Sequence, residues 1–88
     1  MIDFKSIHGY QVDPNTIELY DSVSGHTALY NYGKLIAVKD SSLGKCLYVT
    51  NYWDYSRTTM KRLNNFINQS AAETRKQIQS GEIDVVEV

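Results

Sequence analysis

The sequence has few of the residues that crosslink a chain, anchor it in a membrane or bind a metal. A single cysteine, Cys46, cannot form a disulfide within the chain. No apolar stretch approaches the roughly 20 residues that a transmembrane helix needs, and no basic leader followed by an apolar run opens the sequence. We therefore expect a protein of the reducing cytoplasm that neither spans a membrane nor is secreted.

Groups for catalysis or cofactor binding are equally sparse. His8 and His26 lie far apart, without acidic residues or cysteines at ligand spacing, which favours surface histidines over a metal site. Cys46 lies in an otherwise apolar segment, and we expect a packed small residue there rather than a nucleophile. The glycines are isolated in turns rather than grouped in a phosphate-binding loop. The sequence thus predicts no enzyme activity, no metal and no cofactor.

Length and composition indicate one small folded domain. The chain has 88 residues, of which 42% are hydrophobic and 22% charged, which is typical of a folded protein rather than a disordered one. We predict a single α+β domain over residues 1–88, strand-rich over 1–53, helical over 56–80 and ending in a strand or tail over 82–88. In this fold an antiparallel meander of three to five short strands packs against one or two C-terminal helices.

Strand signals dominate the first half of the chain. Alternating and β-rich runs predict strands over Thr16–Tyr20, Thr27–Tyr32, Lys34–Lys39 and Cys46–Tyr52. Turn signals precede or separate them at Asp13–Asn15, Asp21–Gly25, Asn31–Gly33 and Ser41–Gly44. In the last of these strands, twofold alternation predicts Leu47 and Val49 on one face and Cys46, Tyr48 and Thr50 on the other.

The apolar spacing becomes helical after residue 56. Met60, Leu63, Phe66 and Ile67 form one stripe for the core, whereas water or a partner faces the polar positions Lys61, Arg62, Asn64, Asn65 and Asn68. Ser56 or Asp54 is placed to cap this helix near Arg57. Ser70 and Glu73 fit a capping box for a second helix that stops near Gly81. Because the apolar stripe continues past Ser70, one long helix is the alternative.

The net charge of −1 conceals an uneven distribution. Residues 1–33 and 77–88 each carry −3, whereas residues 34–76 carry +5, from eight basic and three acidic side chains. A basic centre guides an acidic partner if the fold gathers it on one face. The favoured alternative is that the acidic ends fold back over the centre and neutralise it.

The most distinctive segment is Leu47–Phe66, which contains three tyrosines, the only tryptophan and three basic residues. Such residues stack bases and hold phosphates, and they also dominate the energetic centres of protein interfaces. Tyr48 and Trp53 are equally suited to fill the seam between sheet and helix. We expect Tyr52, Tyr55 and the three basic residues to be exposed. We predict a partner-binding surface of six residues: Tyr52, Trp53, Tyr55, Arg57, Lys61 and Arg62.

The segments TALYNYGKLIAVKD and KCLYVTNYWDYSRTTMKRLNNFI resemble a family of small uncharacterised proteins encoded by bacteriophages and related mobile elements. Over residues 27–67 the resemblance rests on a Tyr-Ser-x-Thr-Thr run before an amphipathic helix, present here as Tyr55, Ser56, Thr58 and Thr59. The chain departs from the pattern at 60–62, where the family has a Ser-Lys-His-like sequence, so no role of that histidine transfers. The resemblance implies a phage origin and action in the cytoplasm of a bacterial host, with no established activity.

Two functions follow as hypotheses. The first is a non-enzymatic phage protein that engages a host or phage protein and inhibits a defence or regulatory factor, such as a nuclease, by steric occlusion; an anti-CRISPR protein is one candidate of this kind. The alternative is an accessory protein that binds single-stranded nucleic acid through the same aromatic and basic surface. The near-neutral net charge weakens this alternative, because phosphate neutralisation dominates such affinity. A homodimer is compatible with both, since small domains gain stability by association.

Overall fold

Six strands and two helices make up the described part of the chain. The structure is a computed structural model that describes residues 7–88. In chain order its elements are β1 (Ile7–Asp13), β2 (Thr16–Asp21), β3 (His26–Asn31), β4 (Lys34–Asp40), β5 (Lys45–Thr50), α1 (Arg57–Ile67), α2 (Ala71–Ser80) and β6 (Asp84–Val86). The predicted α+β class is confirmed, but the prediction of three to five strands was too low.

The strands lie in the sheet in the same order as in the chain. β1 to β5 form an antiparallel meander, in which β2 to β5 correspond to the predicted strands. β6 follows the helices and pairs parallel to β5. A parallel neighbour needs a crossover connection, which α1 and α2 provide. The terminal segment therefore contains a short strand, which the sequence left as one of two alternatives.

β1 is the strand that the sequence does not predict. Gly9 and the polar residues around it interrupt the apolar alternation that identifies strands. β1 nevertheless forms a strand because it pairs with β2 across the Asp13-Pro14-Asn15 turn. In this pairing Gly9 lies opposite Leu19, and Gln11 lies opposite Ile17. The register shifts between Gln11 and Asp13, which leaves a bulge near the turn.

The hydrophobic core lies between one face of the sheet and α1. Leu63, Phe66 and Ile67 of α1 meet a buried group from the rest of the chain: Leu29, Ile36, Ala37, Cys46, Val49 and Ile83. Cys46 and Val49 share this core, so the alternation predicted for β5 was wrong. A register shift in the β4–β5 pairing leaves Leu47 without a partner and turns Cys46 to the same side as Val49.

Local capping chemistry separates the two helices, as the Ser70 pattern predicts. Ser56 Oγ accepts the Thr59 N–H at 3.1 Å, and Ser70 Oγ accepts the Glu73 N–H at 3.2 Å. The C-cap residues that follow the two helices are both left-handed: Asn68 after α1 has φ 55°, and Gly81 after α2 has φ 85°. The alternative of one continuous helix was therefore wrong.

A lysine from the sheet stabilises the end of α1. The last turn of α1 contains no basic residue. Instead, Lys39 Nζ donates to Phe66 O at 2.7 Å and lies 4.3 Å from the centre of the Phe66 ring. A cation at this position complements the partial negative charge of the helix C-terminus.

The opposite side of the sheet, which we call the open face, points away from α1. Residues paired directly across antiparallel strands point to the same side of a sheet. Leu29 and Ala37 are such a pair in the core, so the neighbouring pair Ala28 and Val38 points to the open face. The same alternation places on this face Gln11, Ile17, Leu19, Tyr30, Leu35 and Tyr48.

Candidate functional site

A short segment between β5 and α1 carries the three aromatic residues of the predicted surface. The Trp53 N–H donates to Thr50 O at 3.1 Å, and the Tyr55 N–H donates to Tyr52 O, also at 3.1 Å. Thr50 is fully buried, and its hydroxyl donates to Leu35 O of the neighbouring strand. Two successive turns thus fix the three rings to the end of the sheet.

Tyr52 and Tyr55 form the first half of the site. Their rings meet edge to face, with 6.4 Å between centroids and an interplanar angle of 72°. Tyr52 is half-buried against the core, whereas Tyr55 is 67% exposed. Lys34 Nζ lies 4.5 Å from the centre of the Tyr52 ring, close enough for a cation–π contact.

Trp53 forms the second half of the site. Trp53 is half-buried and packs against the core, as expected if it fills the seam between sheet and helix. The guanidinium carbon of Arg75, from α2, lies 5.2 Å from the centre of the Trp53 ring, and Arg75 Nη2 lies 3.7 Å from Met60 Sδ. An arginine from one helix therefore bridges the tryptophan and a methionine of the other helix.

We call this group of five residues the aromatic–cationic surface: Lys34, Tyr52, Trp53, Tyr55 and Arg75. Its two cations differ from the three predicted ones. Arg57 and Lys61 are exposed on α1, and Arg62 is half-buried. Sequence reasoning missed Lys34 and Arg75 because they reach the aromatic segment from other elements, and no local spacing indicates that approach.

Arg62 forms an ion pair with Asp13, beside the first turn of the sheet. Its Nε lies 2.6 Å from Asp13 Oδ2 and makes no aligned hydrogen bond within residues 7–88, so the contact is an ion pair. The Asn15 N–H donates to Asp13 Oδ1 at 2.8 Å. This hydrogen bond first, and then contacts with Thr16 and the Arg62 charge, lower the pKa of the Asp13 carboxyl. Arg62 therefore links α1 to the β1–β2 turn.

The serine and second threonine of the Tyr-Ser-x-Thr-Thr run belong to a buried polar network. Thr59 Oγ1 donates to Asn31 Oδ1 at 2.8 Å and lies 3.0 Å from Ser56 Oγ. Asn31 Nδ2 in turn donates to Thr16 Oγ1 at 2.8 Å. Thr58, which lies between Arg57 and Thr59, is exposed. The run therefore joins the start of α1 to β2 and β3, a structural role that needs no ligand.

The same end of the sheet holds a shallow depression of about 450 Å³ on the open face. Its lining includes Ile17, Tyr30 and Tyr32 and contains no charged residue. Tyr32 and Gly33 both have positive φ, 52° and 75°, and the Tyr32 N–H donates to Asn15 O of the adjoining turn at 2.8 Å. Left-handed backbone is uncommon for a tyrosine and here presents the ring to solvent, with 57% of Tyr32 exposed. The Asn-Tyr-Gly sequence predicts the turn but not the depression.

A comparison with protein families assigns the chain. A family model described as a family of unknown function, DUF8033, matches residues 5–82. The chain belongs to the DUF8033 family. No curated protein and no solved structure matches it.

Within this DUF8033 chain, the residues considered for chemistry are dispersed. Cys46 is buried, and burial raises the pKa of its thiol to about 11, so the protonated form dominates at neutral pH. His8 and His26 are exposed on different strands. Residues 7–88 contain no group of three His, Cys, Asp or Glu that could hold a metal ion. Neither helix of this part is long and apolar enough to cross a membrane.

Proposed function

We propose that this chain is a small non-enzymatic binding protein that engages a protein partner through the aromatic–cationic surface. The partner is a host or phage protein, and binding inhibits a defence or regulatory factor by steric occlusion. The resemblance over residues 27–67 supports an origin in a phage or mobile element and action in the cytoplasm of a bacterial host.

The observation that carries the proposal is the fixed arrangement of Tyr52, Trp53 and Tyr55. Tyr, Trp and Arg are the residues most enriched among those that dominate binding energy. Here backbone turns, core packing and the edge-to-face ring contact hold them in place. A surface ordered before binding loses less conformational entropy when the partner docks.

Ring geometry favours a protein partner over single-stranded nucleic acid. Bases stack on open ring faces. Lys34 and Arg75 lie over Tyr52 and Trp53, and both rings also pack against the core. Tyr55 is the ring of this segment that stays largely accessible, and a single ring makes a small stacking platform.

The alternative function, binding of single-stranded nucleic acid, keeps one supporting observation. Arg57 and Lys61 are exposed on α1, near Tyr55 in the sequence. Cations beside an exposed ring suit a phosphate backbone with a stacked base. The ion pair of Arg62 with Asp13 reduces the positive charge that is available for this role.

The experiment is affinity capture from bacterial lysate with matched tyrosine variants. Tyr55→Ala and Tyr10→Ala each remove a tyrosine that is 67% exposed, from the aromatic–cationic surface and from β1 respectively. We expect Tyr55→Ala to weaken the captured complex about 30-fold, the effect of losing one dominant contact, and Tyr10→Ala to leave it unchanged. Arg75→Gln serves as a second probe of the surface.

Equal capture by the wild type, Tyr55→Ala and Arg75→Gln would show that another surface binds the partner. A labelled single-stranded oligonucleotide tests the alternative by fluorescence anisotropy. Binding that weakens steeply with salt and is lost in Tyr55→Ala would replace the protein-binding proposal with the nucleic-acid one.

A further inference from the structure

Among the described residues, no strand pairs with the outer edge of β1. β1 is the first strand of the sheet and pairs with β2, and no strand among residues 7–88 lies beyond it. It is seven residues long, and its residues 8–12 are all exposed. An edge strand presents unpaired N–H and C=O groups, which are a template for another strand.

The two edges of the sheet differ in their protection. β6, at the other edge, has three residues, begins with the acidic Asp84 and is followed by the acidic Glu87. The N–H of the next residue, Val88, donates to Asn51 Oδ1 at 3.0 Å. Short length and charge are the usual means of preventing edge pairing. β1 is longer and has no formally charged residue before Asp13.

The regular part of β1 is self-complementary. The bulge near Val12 ends regular pairing, which leaves Ile7–Gln11 with Gly9 at its centre. In antiparallel pairing about Gly9, His8 lies opposite Tyr10 of the second copy, and Ile7 opposite Gln11. No like charges meet, and the two glycines face each other without side chains. His8 stacks on Tyr20 of β2 with 6.2 Å between ring centroids, and this contact orients its ring within the same sheet face.

We propose that β1 pairs antiparallel with β1 of a second copy of this chain, about a two-fold axis at Gly9. This pairing joins two six-stranded sheets into one continuous sheet. Two-fold interfaces use the same surface on both copies, as this one does. A five-residue pairing buries little area, so the dimer is reversible and depends on concentration. It does not use the aromatic–cationic surface, and its failure leaves the proposed function intact.

Charge variants at Gly9 test the pairing and its register together. A Cβ at Gly9 would meet Leu19 Cδ2 at 3.5 Å and Ile17 Cδ1 at 3.8 Å, which are ordinary contacts, so Gly9→Lys and Gly9→Glu fit the fold. Each variant alone places like charges at the two-fold axis, whereas their mixture places opposite charges there. We expect the mixture to associate about tenfold more tightly than either variant alone.

The measurement is sedimentation equilibrium of the full chain over a wide concentration range, with urea unfolding as the check on folding. Wild-type mass should rise from 10.1 kDa toward twice that value. Ala72→Lys and Ala72→Glu, which make the same charge changes at an exposed position on α2, should associate like the wild type. A wild type that stays monomeric, or folded Gly9 variants whose mixture associates no better than each alone, would overturn the proposal.

Concentration-dependent NMR shifts locate the interface independently. Amide shifts at residues 7–11 should move with concentration, whereas those of β6 should not. Shifts confined to the open-face residues of β3 to β5, or to β6, would assign any dimer to another surface and refute the pairing.

Discussion

Replacing Thr59 by valine tests whether the Tyr-Ser-x-Thr-Thr run stabilises the fold. Thr59 is 1% exposed, and its hydroxyl donates to Asn31 Oδ1, which belongs to a side chain that is 2% exposed. Valine keeps the shape and removes the hydroxyl. Asn31 Oδ1 then loses the donor that Thr59 supplies, in a site that is almost fully buried.

The expected cost follows from that lost hydrogen bond. A buried polar atom left without its partner destabilises a protein by about 1–3 kcal/mol. For a domain of this size, a loss of about 2 kcal/mol lowers the midpoint of thermal unfolding by about 10 °C. Thr58→Val is the matched control, because Thr58 is the exposed neighbour in the same turn of α1. Its effect should stay within about 0.5 kcal/mol of the wild type, as for most surface changes.

Urea unfolding followed by circular dichroism measures both variants. The difference in the free energy of unfolding between the two variants decides the test, because both substitutions change helix propensity equally. If Thr59→Val and Thr58→Val unfold at the same urea concentration, the polar network contributes no net stability. The run would then require a functional explanation instead.

Two further predictions concern titrating groups. The folded protein should resist thiol reagents at about pH 8 and react after unfolding, because burial raises the pKa of Cys46 from 9.0 to about 11. Between these two values the unfolded chain loses the thiol proton first, so the free energy of unfolding should fall with rising pH in the wild type relative to Cys46→Ala. Identical pH profiles would contradict the burial. NMR titration of Asp13 should give a pKa below 3.8, and Arg62→Gln should raise it part of the way, since the Asn15 amide is the larger cause. The stabilisation from Asp13 is present above 3.8 and lost as pH falls through the lowered pKa; an unchanged pKa in Arg62→Gln would show that the ion pair does not form in solution.

Local signals in the sequence predict the helix boundaries and the central hairpins. Ser56, Ser70 and Gly81 each act within a turn of their own position, through caps that depend on few neighbours. The Asn31–Gly33 turn is equally local, because its glycine accommodates positive φ. Such features require no knowledge of the tertiary structure.

Features that depend on distant pairing could not be read in this way. β1 becomes a strand through β2, and β6 through β5, although neither run has a strong pattern of its own. The register shift at Leu47 depends on how β4 meets β5. A sequence interpreted one strand at a time assigns regular alternation there and misplaces Cys46.

The candidate site likewise combines features that the local sequence predicts with features that depend on contacts between distant elements. The aromatic segment is visible in the sequence, and the structure places Tyr55, Arg57 and Lys61 at the surface. The half-burial of Tyr52 and the positions of Lys34 and Arg75 over the rings arise from packing between elements. Composition therefore indicates where to look, whereas the fold determines which cations accompany the rings.

The late return of β6 has a consequence for refolding. Hairpins between neighbouring strands close short loops, whereas the pairing of β6 with β5 spans both helices, so we expect β6 to join the sheet last. Until then the apolar edge of β5 can recruit another molecule instead of its own last strand. We therefore predict that conditions that delay helix docking lower the refolding yield as protein concentration rises, because this three-residue strand is then late in covering the edge of β5.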